Sequence, residues 1–488
     1  MDSMDKDKPE VGEKKFPDHS LTETAGAGKH IEDSSFAFAR HFVETGYGNI
    51  PGDVVEAVKK SVLDTLGVSI AATTLGQGGR ALAEIAKEGG GKEESTLLVF
   101  GGKVPAWMAA FVNGGLAHSL DYDDLHHEGI CHPGGAVLPA ALAVAERVGP
   151  VHGRDFITAA ALGQDMVMRM TAALRTHMLL YNWMRFPVIA VFAAAATSGK
   201  LLGLDQEKMQ AAISAGLCYS AGAGELLRGE LRGLYDGWAN KGGIFAALMA
   251  QKGITGTQEP LEGQMGFFNV YYRGEYDRDV LLADLGKKYY GSYLGFKPWS
   301  SCSVTQPSID ATLKLVTEHD LKPEDIEEMT VTVGTQARFN CEPLEYVRKP
   351  KTVMDAKFSV PYTMAIAAVR RKVTLADFML ENINDPVILA LAQRVVPVLT
   401  SELNVQRGTP PAVVEIKTKD GKKYTTRTDY VFGHYLNPMP WEAIIEKFRD
   451  CVSYSAIPLP GKNIAQVIEM AQNLEQVSDV GAIMRLLG

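Results

Sequence analysis

The sequence predicts a mainly α-helical protein, with a large all-helical domain built from both chain ends and a smaller α/β module between them. Three observations predict it. From Ser34 to about residue 292, apolar residues recur at helical spacing in alanine-rich stretches broken by glycine and short polar turns. The period then drops to two in EEMTVTV (327–333) and VVEIKTKDGKKYTTRT (413–428). From about residue 433 helical spacing returns. The boundaries that follow are 1–33 for a disordered tail, 34–292 and 433–488 for the helical domain, and 293–432 for the module.

Each element has its reason. The first thirty or so residues are polar and rich in Lys, Glu, Asp and Gly, too poor in apolar groups to fold alone, and they lack the apolar core of a secretory signal. VVEAVKKSVLDTLGVSIAA (54–72), AALAVAERV (140–148) and FAAAATSGKLLGL (192–204) read as helices whose small residues let axes approach closely. Asp205 before QEKMQAAISAGL reads as a helix start. In the module, Asp420-Gly421 predicts a type I′ hairpin turn, and KFSVPYTMAIAAVRR (357–371) and PVILALAQRVV (386–396) read as helices on one face of a small sheet.

Composition bounds the function. With 488 residues and 46% hydrophobic content the chain can bury a large core. A net charge of −9 without any basic run argues against a nucleic-acid partner, so an anionic ligand would need a local cationic pocket. Cys131, Cys218, Cys302, Cys341 and Cys451 show no CxxC pair, which speaks against a disulfide framework or structural zinc and fits a reducing cytoplasm. No apolar run is long enough to span a bilayer, so no membrane partner is expected.

Chemistry concentrates in HSLDYDDLHHEGICHPGG, His118 to Gly135. It holds Asp121, Asp123 and Asp124 with His118, His126, His127 and His132, in a chain with 11 histidines in all. So many groups able to titrate or bind near neutral pH read as one wall of an active site. In HEGICH (127–132) the second histidine comes one residue too late for the HExxH zinc helix, and metal is not expected, although Asp121, His126 and His132 could converge from a loop. The glycines of GAGELLRG follow a helical stretch and no GxxxxGK[ST] occurs, so nucleotide binding has little support. Cys131 beside His132 could suggest a thiol nucleophile, but sequence neighbours do not generally face each other.

Five stretches in order, LDYDDLHHEGICHPGGAVLPAALAVAE, WMRFPVIAVFAAAATSGKLLGLD, RGLYDGWANKGG, FKPWSSCS and KFSVPYTMAIA, resemble successive landmarks of the MmgE/PrpD family over roughly residues 34–488. That family includes dehydratases, decarboxylases and epimerases of small carboxylic acids. The resemblance implies a smaller domain acting as a lid, a homodimer and no cofactor. It also implies that Asp121, His132, Lys297 and Tyr362 line the pocket as catalytic residues. At three places the chain departs from the family pattern: Leu125 stands where threonine is usual, Met184 where histidine is common, and Arg232 where lysine is usual.

The retained set is coherent chemically. Labilising a bond beside a carboxylate builds enolate-like charge that fixed cations must meet, a role suited to Lys297 and Arg232. His132 can exchange a proton, Asp121 can fix its tautomer, and Tyr362 can deliver a proton or hold a substrate hydroxyl. Arg185, Asp124, His126, Leu125 and Met184 complete the candidate substrate-binding set, with Arg185 as a carboxylate clamp if it turns inward. Leu125 and Met184 would make one wall apolar, favouring a substituted succinate or alkylated dicarboxylate over a citrate-like triacid. Plainer roles compete: Asp121 or Asp124 as a helix cap, Tyr362 as core, His132 as a structural histidine, His126 and His127 at the rim, Lys297 on the surface. Three functions remain in play. The favoured one is a cofactor-independent lyase dehydrating or decarboxylating a small di- or tricarboxylic acid; the others are an epimerase or isomerase and a carboxylate-binding homologue without turnover.

Overall fold

Alanine-rich helices gain stability by close packing, because they carry little side-chain area to bury singly. In the computed structural model, which describes residues 31–76, 78–175, 181–228 and 230–488, helices Ala106–Ser119, Pro133–Val148, Arg185–Leu201 and Tyr235–Gln251 pack against one another at the centre of the larger lobe. A side chain at Gly243 would put its Cβ 2.5 Å from that of Ala194, so glycine is what lets two of these helices touch.

Both chain ends enter this lobe. Helix Gly52–Leu75 carries Trp441–Val452 and Gly461–Gln472 on its flank, and Gly481–Leu487 packs on Pro133–Val148. One apolar cluster accordingly joins Phe38, Val62 and Phe156 to Phe448, Leu474 and Ile483. The start lies at Asp33, whose buried carboxylate caps helix Ser34–Glu44 through Ser35 N–H at 2.9 Å and accepts Glu262 N–H at 2.7 Å. Asp33 is therefore not part of a tail, and residues 1–30 of the expected tail lie outside the described residues. Asp205 caps its helix as expected, accepting Lys208 N–H at 2.9 Å.

The α/β lobe has its own apolar cluster, running from Ile309 to Ile416. Its sheet has four strands in the order Val395–Thr400, Ile326–Gly334, Ala412–Thr418, Lys423–Thr428. The first pair is parallel and the others antiparallel, and helices Gln306–Glu318 and Val360–Arg370 lie against them. Two sequence readings need correction. The helix in PVILALAQRVV ends at Ala392, and Val395 starts an edge strand: its β-branched residues pair with Met329–Gly334, and Pro397 is tolerated at the edge. The hairpin turn is not type I′. Gly421 alone has positive φ, +83°, and its N–H bonds to Thr418 O at 2.9 Å, which is a type I turn closed by a left-handed glycine. Among the described residues no helix is long and apolar enough to cross a membrane.

Residues 33–488 form one compact unit. Near the lobe junction Lys447, from helix Trp441–Val452, inserts a buried ammonium that donates to Tyr122 O at 2.7 Å and Lys297 O at 2.9 Å and pairs with Asp64 at 2.6 Å. Removing one partner of such a pair strands the other charge. Lys447→Met is expected to cost about 3–5 kcal/mol in urea denaturation, and adding Asp64→Asn to recover part of it.

Candidate functional site

The HSLDYDD segment leaves helix Ala106–Ser119 and bends sharply at Asp121, whose φ of +53° is a left-handed conformation that aspartate tolerates better than most residues. The bend is held from the other lobe. Ser300 Oγ and Lys357 Nζ both donate to Leu120 O at 2.7 Å, while Lys297 Nζ donates to Asp121 O and Oδ1 at 2.9 Å each. Arg232 Nη2 reaches the same Oδ1 at 3.1 Å. Asp121 Oδ2 and Arg232 Nε and Nη1 are buried without hydrogen-bond partners. Burial by itself would raise the Asp121 pKa, but Arg232 and then Lys297 outweigh it and hold the carboxyl well below its ordinary range.

Behind this pair stand the imidazoles. Asp123 Oδ2 lies 3.0 Å from His118 Nδ1 and 3.4 Å from His132 Nδ1, and the two rings are 4.6 Å apart between centroids. His132 Nδ1 also faces Asp124 O at 2.9 Å. A carbonyl only accepts, so Nδ1 carries the hydrogen and Nε2 keeps its lone pair. Burial first, then Lys297 and His118 against the pull of Asp123, brings His132 down to about 3, so it is neutral at physiological pH. Lys357, 3% exposed, is pushed down to about 7 by burial, against the attraction of Asp121.

Asp121, His132, Lys297 and Arg232 are thus brought together as the sequence suggested. Asp124 is not. Its Oδ1 accepts Gly134 N–H at 2.8 Å at the start of helix Pro133–Val148 and its Oδ2 accepts Ser61 Oγ, so it takes the helix-cap role inside the core. Burial raises it to about 8. Tyr362 is fully buried in the apolar cluster of the α/β lobe with its hydroxyl unpartnered, and the charges acting on it are Asp377, Asp385 and Arg370; the structure does not bring it to the Asp121 cluster. Leu125 and Met184 are buried yet belong to none of the three large apolar clusters. Leu125–His126 pairs with Leu294–Gly295 in a short ladder. Arg185 is the buried first residue of helix Arg185–Leu201.

Sequence reasoning did not assign roles to His118, Asp123 or Lys357. The first two lie in the segment it singled out, and Lys357 opens the KFSVPY motif, so the signals were present. His118, Asp121, Asp123 and His132 place ligand-type atoms within 4.8 Å of one another. His126 is not among them, and Asp121 already holds two cations, which a divalent ion would have to displace. The donor set is therefore engaged in internal hydrogen bonds and, at Asp121, in ion pairs.

A helical lobe made from both chain ends, a mixed four-stranded sheet, and buried cations grouped on a carboxylate beside paired imidazoles are, with the family matches and relatives given next, those of a lyase of the MmgE/PrpD type. Residues 37–279 match the MmgE/PrpD N-terminal domain and residues 299–473 the C-terminal domain, and the chain belongs to that family. It is 27% identical to a cis-aconitate decarboxylase of Homo sapiens over 475 residues, covering 93% of this chain and 94% of the relative. A cis-aconitate decarboxylase of Mus musculus is 25% identical, covering 93% and 92%. One of Aspergillus terreus is also 25% identical, covering 90% and 92%.

The buried imidazoles set a pH dependence. Burial depresses His126 to about 3 from an ordinary value of 6.5, and Arg407 adds to this. Between these values the unfolded chain binds a proton there that the native protein does not, so the residue's contribution makes stability fall as pH falls through that window. Asp124 acts with the opposite sign, keeping its proton in the native state up to about 8. The test is therefore differential: His126→Phe should flatten the pH slope of urea stability between about pH 6 and pH 4.5 by up to ~1.4 kcal/mol per unit relative to wild type.

Proposed function

We propose that this protein is a cofactor-independent lyase that removes carbon dioxide from a small di- or tricarboxylic acid, as the names of its relatives suggest. The observation that carries the reading is the buried Arg232 guanidinium. It is 6% exposed, spends Nη2 on Asp121, and keeps Nε and Nη1 unpartnered beside Lys297. Nε–H and the Nη1 hydrogens lie on different edges of the guanidinium, so each is a separate donor for an oxygen of an anionic ligand. Their burial without acceptors is costly unless a ligand supplies them.

Chemistry follows from the charges. Loss of carbon dioxide leaves an electron pair on carbon, delocalised toward a neighbouring carboxylate, and Lys297 and Arg232 meet the charge that develops. The carbanion then needs a proton. His132 is neutral in the empty site, but an entering anion raises its pKa, so it gains a proton with the substrate and delivers it from Nε2 to carbon. Leu125 and Met184, buried outside the main clusters, supply apolar area for an alkyl or alkene portion.

Incubation with cis-aconitate, 2-methylcitrate, alkylsuccinates and iminodisuccinate in deuterated water, followed by proton NMR, tests this. New vinyl signals with release of carbon dioxide support it. Deuterium exchange beside a carboxylate without elimination would replace it by an epimerase, and ligand-induced stabilisation without turnover by a binding protein. Arg232→Met and Lys297→Met are each expected to lower kcat/KM by about 10²–10³ on the substrate found.

A further inference from the structure

A cavity of about 240 Å³ opens on the α/β lobe, and none of the Asp121 cluster lines it. Its walls come from three short helices, Arg338–Cys341, Leu344–Val347 and Val353–Lys357, with Phe358 directly after the last. These segments are pinned to one another. Asn340 Nδ2 donates to Phe358 O at 2.8 Å, and Ser359 Oγ donates to Val347 O at 2.5 Å. Phe339, Tyr346, Met354 and Phe358 supply most of the apolar lining, and the Phe339 and Phe358 rings meet edge to face at 6.3 Å. Phe339 is 43% and Tyr346 39% exposed, so two large aromatic side chains stay partly wet around a concavity that is already built.

Charge selects the occupant. Among the described residues of the lining, the charged groups are the carboxylates of Glu342 and Asp355, with no lysine or arginine beside them. Glu342 Oε2 pairs with Arg338 at 2.7 Å, while Asp355 Oδ2 accepts Thr352 N–H at 3.1 Å and lies 3.4 Å from the Tyr346 hydroxyl. Two carboxylates offer more lone pairs than these contacts use, so both retain capacity for an ammonium. The faces of Phe and Tyr attract the same ammonium and repel an anion. A carboxylic acid of the kind drawn to Arg232 and Lys297 is therefore disfavoured here. The volume lies below the roughly 300–1,000 Å³ of pockets for drug-sized ligands and suits one ring with a short chain.

We infer that this cavity is a second ligand site, for a small primary amine carrying one aromatic ring, with the ring packed on Tyr346, Met354 and Phe358 and the ammonium facing Glu342 and Asp355. The Arg232 guanidinium lies over the same Phe358 ring at 5.0 Å. The site thus adjoins the reactive cluster through one side chain while opposing it in charge. It stands independently of what Arg232 binds.

The test is ligand-observed NMR titration at neutral pH and low salt with two probes of one shape, cationic 2-phenylethylamine and neutral 2-phenylethanol. The amine is expected to bind with a dissociation constant of about 1 mM or tighter, and the alcohol about fivefold more weakly. Glu342→Gln combined with Asp355→Asn, which keeps a helix-capping side chain, should bring the amine to within about twofold of the alcohol. Tyr346→Ala and Phe339→Ala, both at exposed positions, should each weaken both probes by about fivefold or more. Amine affinity within about twofold of wild type in both aromatic variants overturns the site. So does an amine that binds wild type no better than the alcohol, or no amine binding at about 10 mM.

Discussion

The Asp121 carboxylate, fixed between Lys297 and Arg232, is the interaction on which the rest of the site depends. Its three charged groups come from three places: the turn after helix Ala106–Ser119, the segment entering the α/β lobe, and the 3₁₀ turn before helix Tyr235–Gln251. Three charges taken out of water are tolerable only when each is paired or hydrogen-bonded. One carboxylate oxygen serves two cations, so Arg232 is held in place while two of its nitrogens stay available.

Electrostatics near that pair favour anions over cations. Lys297, Arg232 and Lys357 face Asp121 and Asp123, while Lys447 is balanced by Asp64. Burial keeps His132 neutral, so it adds no positive charge there.

Much of this was legible in the sequence, for physical reasons. Long alanine-rich helices announce themselves by period, and the alternation in EEMTVTV gave the central strand. The edge strand Val395–Thr400 was hidden because a short apolar run following a helix has no period of its own. Asp121, His132 and Lys297 were found through motif resemblance, and Arg232 through its departure from it. Asp124 and Tyr362 sit in equally suggestive motifs yet face the interior, because a motif fixes neighbours along the chain and not the direction of a side chain. Lys357 was passed over since its partner, Leu120, is 237 residues away, and no local pattern records a contact of that span.

Lys447 carries a consequence for how the protein is made. Its ammonium closes on Tyr122 O and Lys297 O, across 325 and 150 residues, from a helix within the last fifty positions. Synthesis runs from the N-terminus, so the HSLDYDD turn and the FKPW segment are made well before the residue that locks them, and the last strand, ending at Thr428, shortly before it. Until then Asp64 is an unpaired charge in a half-built core. The contacts that brace the Asp121 turn and the FKPW segment are therefore completed only when nearly the whole chain has been made.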